Sequence, residues 1–220
     1  MASSPQHRIA PGYLALPDLA AEQLELDQLS ARHAPPAGNW TDVRRRQVSH
    51  EIMLRHDSEV SLAGSENIDL PSCWPASAHI DVSEQIDWLT TRYSGTREAR
   101  IPLPRSAQQL WGQHKYSILA RDQNLYRQLG RQLADKAIDF SELADLLTST
   151  LLERPTSGGI CNAVQHMWGY VSQRPEHARC YIDSWSTREL LHETQQRART
   201  TGPSYLWEST ALSELMAWLD

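Results

Sequence analysis

Beyond residue 105, apolar side chains recur every three or four positions, the spacing of one helix face. Leu110, Trp111, Ile118 and Leu119 predict one helix, and Leu125, Leu129 and Leu133 predict a second after a break at Asp122. Asp139 with Glu142 forms a capping box, in which a side chain and a backbone amide satisfy each other at a helix start. It opens a third helix that places Leu143, Leu146, Leu147 and Leu151 on one side. Pro155 and the Gly158-Gly159 pair are expected to end that helix. A fourth then runs from about Ile160 to Ser172 and buries Val164, Met167, Trp168 and Val171. Ser186 with Glu189 is another capping box, before a helix reaching about Arg199. Gly202-Pro203 turns the chain into a last helix carrying Leu212, Leu215, Met216, Trp218 and Leu219. Alternating β-branched patterns are absent, so the expected fold is all-α, a multi-helix bundle.

The first hundred residues are less regular. Leu24, Leu26 and Leu29 suggest a short helix that Pro35 and Pro36 must end, within a partly ordered leader of about forty residues. Thr41 and Asp42 read as the start of a helix over 41–60. Its Arg44-Arg45-Arg46 run reads as a solvated face, with phosphate or partner contact as the alternative. A loop from Gly64 to His79 contains Pro71 and Pro75; Asp81 and Glu84 then form a capping box leading into Ile86, Trp88 and Leu89. The Tyr93–Thr96 stretch closes that helix, and Pro102 and Pro104 place a boundary near 100. The division expected is an irregular, partly helical extension or small subdomain over 1–100 and a helical domain over 101–220.

Composition narrows the function classes. Of the 220 residues 40% are apolar and 22% charged, enough for a core and ordinary for a soluble domain. No run approaches the roughly 20 apolar residues of a membrane span, and the opening stretch lacks the pattern of a secretory signal. Three cysteines, at 73, 161 and 180, have neither metal nor disulfide spacing, and their odd number fits a reducing cytoplasm. Net charge is −6, with −5 of it in residues 1–100, which argues against global attraction to long nucleic acid but leaves room for a local basic pocket. Eight tryptophans against one phenylalanine suit helix interfaces. Phosphate-loop, dinucleotide and paired-cysteine motifs are missing, so no cofactor of those kinds and no metal is expected.

The polar residues of the second half are more informative. His114 shares the core-facing side with Ile118, where a histidine is either a bonded core residue or part of a site. Lys115 follows it. Tyr126-Arg127 and Gly130-Arg131 stand on the next helix; Arg127 and Arg131, four apart, form either a clamp for a carboxylate or phosphate or a solvated pair. Gly130 is costly inside a helix, and close approach of a helix or a ligand is the usual reason. Asn162, His166 and Tyr170 are spaced by four and four, so they project from one side of one helix, and Gly169 suggests close packing there. Histidines facing each other across a cleft exchange protons near neutral pH, making His114 and His166 candidate catalytic residues. Lys115, Tyr126, Arg127, Arg131, Asn162 and Tyr170 are the candidate ligand-binding set. Cys161 has no spacing that ties it to a base.

Three stretches carry a family resemblance: His114-Lys115-Tyr116 continuing through Leu119-Ala120 to Tyr126–Gly130, then Asn162–Tyr170, then Pro203–Glu208. In that order they resemble the YbgA-like bacterial family, domain of unknown function 1722, over about residues 105–210. Departures are a shortened stretch between Tyr170 and Tyr205, Arg121-Asp122 in place of a histidine-containing turn, and no proline-rich ending. Similar domains occur alone, sometimes encoded near light-dependent DNA repair enzymes, or fused to an iron–sulfur domain that removes sulfur from thiolated pyrimidine bases. The resemblance therefore implies a setting in nucleobase, nucleotide or nucleic-acid metabolism; the clustered cysteines of the iron–sulfur domain are absent, so cluster-based desulfuration is not expected of this chain.

Two functional readings lead. One is a ligand-binding protein with a His/Lys/Arg/Asn/Tyr pocket for an anionic small molecule or nucleobase; whether it is an enzyme stays open. The other is a non-catalytic interaction or regulatory module that docks a protein or nucleic-acid complex. An independent hydrolase or transferase is the third, without a complete constellation.

Overall fold

The computed structural model describes residues 10–32, 40–56, 82–93, 99–172 and 184–219. The loop from Gly64 to His79, the cap at Asp81, the helix-ending Pro35 and Pro36, the turn at Gly95, and Cys73 and Cys180 lie outside what is described, whereas Thr41, expected as a cap, is the second residue of a helix that begins at Trp40. The described elements are helical throughout. They are α1 (Leu16–Arg32), α2 (Trp40–His56), α3 (Val82–Arg92), α4 (Ala107–Leu119), α5 (Gln123–Ala134), α6 (Phe140–Leu151), α7 (Ser157–Val171) and α8 (Thr187–Thr200). Two single-turn helices follow, α9 (Ser204–Trp207) and α10 (Ala211–Glu214), with 3-10 turns at Pro11–Tyr13 and Leu215–Trp218. Among the described residues there is no strand, and no helix is long and apolar enough to cross a membrane.

Helix starts follow local chemistry. Ser106, Asp122 and Thr156 each accept a hydrogen bond from a first-turn amide of α4, α5 and α7. The boxes Asp139–Glu142 and Ser186–Glu189 form in full. Three expectations shift. α1 has 17 residues rather than a short stretch. α7 begins at Ser157, so Gly158 and Gly159 form its first turn instead of a separate break. The reason is packing: a Cβ on Gly159 would stand 2.0 Å from the carbonyl oxygen of Ala120, where α7 starts against the end of α4. The expected last helix is divided into α10 and a 3-10 turn, both fully buried.

α4 is the central element, with eight of its 13 residues buried. Its Leu110, Trp111 and Ile118 join Ile86, Leu129, Leu143 and Leu147 of α3, α5 and α6 in one core. Its Tyr116 and Leu119 join Val164, Trp168, Leu191, Leu212 and Trp218 in another, which also takes in Val43 of α2. A third core holds Tyr13, Leu19, Val48, Leu89 and Ile101. Leu146, expected inward, is exposed.

The arginine run of α2 departs most from expectation. Arg44 and Arg46 are buried, at 2% and 1% exposure, because α2 packs against α1 on one side and the C-terminal turns on the other. Arg44 makes a bidentate pair with the buried Glu22 of α1, at 2.7 and 3.0 Å. Two turns further on, Glu51 is fully buried between Arg55 at 2.8 Å and Arg100 at 2.6 Å. Burial alone pushes the Glu51 carboxyl upward, but the two guanidiniums hold it below the usual carboxylate range. Arg100 also donates to the carbonyls of Trp207 and Ser209, and Arg55 donates to that of Gly12 at 3.1 Å. These bonds tie the Pro11–Tyr13 turn, α2 and the linker after α9 into one unit.

Candidate functional site

Consecutive residues of α4 face different surroundings. His114 is enclosed, at 2% exposure. Its Nε2 lies 2.9 Å from the Tyr13 hydroxyl and its Nδ1 3.4 Å from Thr210 Oγ1. Tyr13 donates to Gln113 Oε1 at 2.6 Å. On the other side Thr210 Oγ1 meets Ser117 Oγ at 3.1 Å, Ser117 donates to Glu214, and Glu214 pairs with Arg121 at 2.6 Å. Burial drives the His114 ring down to about 4, with Glu214 partly offsetting and Arg121 reinforcing the shift. His114 is therefore a neutral, bonded core histidine near pH 7. It does not share a cleft with His166, which is exposed on α7 and meets Tyr126 of α5 edge-on at 6.4 Å between ring centroids.

Lys115, the next residue, enters a different group. Its Nζ stands 4.8 Å from the ring centre of Tyr116, 5.0 Å from Tyr205 and 5.6 Å from Tyr170. The Tyr170 and Tyr205 rings meet edge-on at 5.6 Å, and Tyr126 leans on Trp111 at 5.3 Å. Three of the chain's seven tyrosines thus converge from α4, α7 and α9 on one half-buried ammonium, with Tyr126 of α5 beside them against Trp111 and His166. The rings attract the cation through their faces. Burial lowers the lysine's proton affinity, and among the described residues no carboxylate forms an ion pair with it.

The phenols affect one another as well. Tyr116 is shifted upward first by burial and then by Tyr170, Tyr205 and Tyr126. Tyr126 and Tyr205 shift the same way, through burial and Tyr170. All three therefore stay protonated near neutral pH and remain donors. The Tyr116 hydroxyl is buried and has no partner of hydrogen-bond geometry among the described residues. Tyr170 perturbs it as a hydrogen-bonding neighbour would, but that contact is too long or too bent to satisfy it. The group thus offers an ammonium and several hydroxyl donors, with no carboxylate paired to the ammonium among the described residues.

The remaining expected residues are placed as follows. Asn162 is half-buried and Tyr170 exposed on the same face of α7 as His166. Arg127 and Arg131 are exposed on α5, with Arg131 Nε donating to the Arg127 carbonyl at 3.3 Å. They project roughly 100° and 140° around the helix from Tyr126. Cys161 is a half-buried free thiol. No group of three or more metal-ligating side chains occurs among the described residues. Tyr116 and Tyr205 were not among the expected site residues, although each lies within a motif stretch. Only the fold shows that they meet.

Glycines frame the same group. Gly112 lies one turn before Tyr116, Gly130 one turn after Tyr126, and Gly169 beside Tyr170 and one turn after His166. Among the described residues none of the three has anything within 4 Å of where a Cβ would stand. The expectation of close packing at Gly169 is thus overturned, and at Gly130 no neighbouring helix explains the glycine. Each is less favourable than alanine by roughly 1 kcal/mol in a helix interior.

Comparison with known proteins adds one finding. A family model described as "Protein of unknown function (DUF1722)" matches residues 115–179, from Lys115 past the end of α7. That span contains Lys115, Tyr116, Tyr126, Asn162, His166 and Tyr170, but not Tyr205, and is shorter than the resemblance read from the sequence. Neither curated proteins nor solved structures give a match. Over residues 115–179 the chain is thus a partial, divergent match to the DUF1722 (YbgA-like) family.

Proposed function

We propose that this chain is a helical ligand-binding protein whose site is Lys115 within the tyrosine group, with His166 at the rim, and whose ligand is an anionic small molecule. The observation that carries the reading is the half-buried Lys115 ammonium, surrounded by Tyr116, Tyr170 and Tyr205, without a carboxylate partner among the described residues. An anion arriving there pairs with the ammonium and accepts from the phenol hydroxyls around it. The metabolic setting, nucleobase or nucleotide chemistry, rests on the family resemblance alone. The docking-module alternative draws less support, because two of the three arginines it would use, Arg44 and Arg46, are buried.

Calorimetry and melting curves with inorganic phosphate, uridine monophosphate and orotate test the reading. At least one anion is expected to bind and raise the melting temperature. Lys115→Gln is expected to remove binding. His166→Ala is expected to weaken it while moving the unliganded melting temperature by only a few degrees, since His166 is exposed. Affinity should also fall as the pH rises through the lysine's own titration, below its ordinary 10.5. Anion binding that survives Lys115→Gln unchanged would place the ligand elsewhere, and unfolding of the His166→Ala protein would make that residue structural.

A further inference from the structure

The geometry points to a more specific ligand: a planar, conjugated ring bearing a single anionic oxygen group, with the ring seated in the clearance left by Gly112, Gly130 and Gly169 and the anion on Lys115 and Tyr116. This inference rests on the anion-binding reading above and specifies the class of anion.

Its first support is the repeated placement of the glycines. α4, α5 and α7 each send a tyrosine to the group, and each carries an interior glycine next to that tyrosine or one turn away. On α4, Gly112 falls angularly between Lys115 and Tyr116. On α7, Gly169 shares a face with Asn162 seven residues earlier, and with His166. Packing explains none of the three, because open space surrounds each missing Cβ. Gly159 and Gly12 differ, since a Cβ there would stand 2.0 Å from Ala120 and 2.3 Å from Ile101. Gly112, Gly130 and Gly169 each leave room where an ordinary helix-forming side chain would stand.

The second support is the Tyr116 hydroxyl, on a residue 1% exposed, which lacks a partner of good geometry among the described residues and lies in the field of the other phenols. A buried donor left unmade is unfavourable, and an oxygen of the ligand would satisfy it. The third is the character of the walls. Tyr126 meets His166 edge-on and Tyr170 meets Tyr205 edge-on, so the surroundings are built of aromatic rings, the side chains on which a flat ring packs best. Among the described residues one ammonium and no guanidinium fork stand against these rings, which suits a carboxylate or enolate better than a phosphate dianion.

Titration calorimetry of the full chain with benzoate, orotate, cyclohexanecarboxylate and inorganic phosphate tests the inference. The two planar acids are expected to bind at least tenfold more tightly than the saturated one and than phosphate. Gly112→Leu and, independently, Gly169→Leu are expected to weaken orotate at least tenfold while leaving the melting temperature unchanged or higher. If one variant fails to fold, the other carries the test. Equal affinity for benzoate and cyclohexanecarboxylate, or binding of phosphate alone, overturns the planar ligand and leaves the anion site standing. Planar binding unaffected in a folded glycine variant overturns the proposed seat. If none of these anions binds, both the planar ligand and the anion site are lost.

Discussion

His114→Gln tests how tightly the core around α4 is sealed. The folded protein holds this histidine at about 4, against 6.5 for a free imidazole. Between those values the unfolded chain binds a proton that the folded chain does not, so acidification favours unfolding. The stability linked to His114 is fully present above pH 6.5 and is lost as the pH falls toward 4. At about 1.4 kcal/mol per pH unit, the loss at the lower end is about 3 kcal/mol. Glutamine can hydrogen-bond Tyr13 and Thr210 without titrating. His50, driven down to about 3 by burial and then by Arg188 and Arg46, contributes in the same direction in both proteins and cancels in the comparison. Urea unfolding at several pH values from 7.5 to 4 is therefore expected to show the native protein losing about 3 kcal/mol more than the variant. The His114 ring signal in NMR should keep its neutral form down to near pH 4. Parallel stability curves, or a ring that titrates near 6.5, would show that His114 is solvated and would undo the buried-network account.

Two further outcomes are expected from the packing. Glu51→Gln leaves Arg55 and Arg100 buried without their carboxylate and should destabilise by about 3–5 kcal/mol in urea unfolding; a loss below about 1 kcal/mol would mean the pair is screened by water. Gly159→Ala and Gly130→Ala should move melting temperature in opposite directions. The first drives a methyl into the Ala120 carbonyl and should destabilise by about 1–3 kcal/mol, whereas the second enters open space and should stabilise by up to about 1 kcal/mol. Equal signs would contradict the distinction between the two glycines.

Local chemistry made much of the helical framework readable. Apolar spacing located α4 to α8, and the boxes at Asp139 and Ser186 marked two starts correctly because a cap and its acid are only three residues apart. The spacing of Asn162, His166 and Tyr170 correctly gave one face of one helix. What failed depends on partners distant in sequence. Arg44-Arg45-Arg46 looks like a solvated run until Glu22 is placed beside Arg44. His114 and Lys115 looked like joint members of one site, yet a rotation of about 100° sends one into the core and the other toward the tyrosines. The glycines show the same limit. The sequence marks Gly130 as unfavourable in a helix, Gly169 as a close approach and Gly158-Gly159 as a break, but only the fold separates the one pressed against a carbonyl from the two facing open space.

The bonds of Arg100 also constrain how the chain matures during synthesis. Its carboxylate partner, Glu51, precedes it by 49 residues and is available as soon as both have emerged. The carbonyls of Trp207 and Ser209 follow 107 and 109 residues later. At about 5–20 residues per second of translation, that interval is on the order of 5–20 s. For that time water must make the bonds to Arg100 that those carbonyls later provide, at what will become a sealed junction. A chaperone that holds nascent chains, or a pause in translation just after α8, would act on that waiting state.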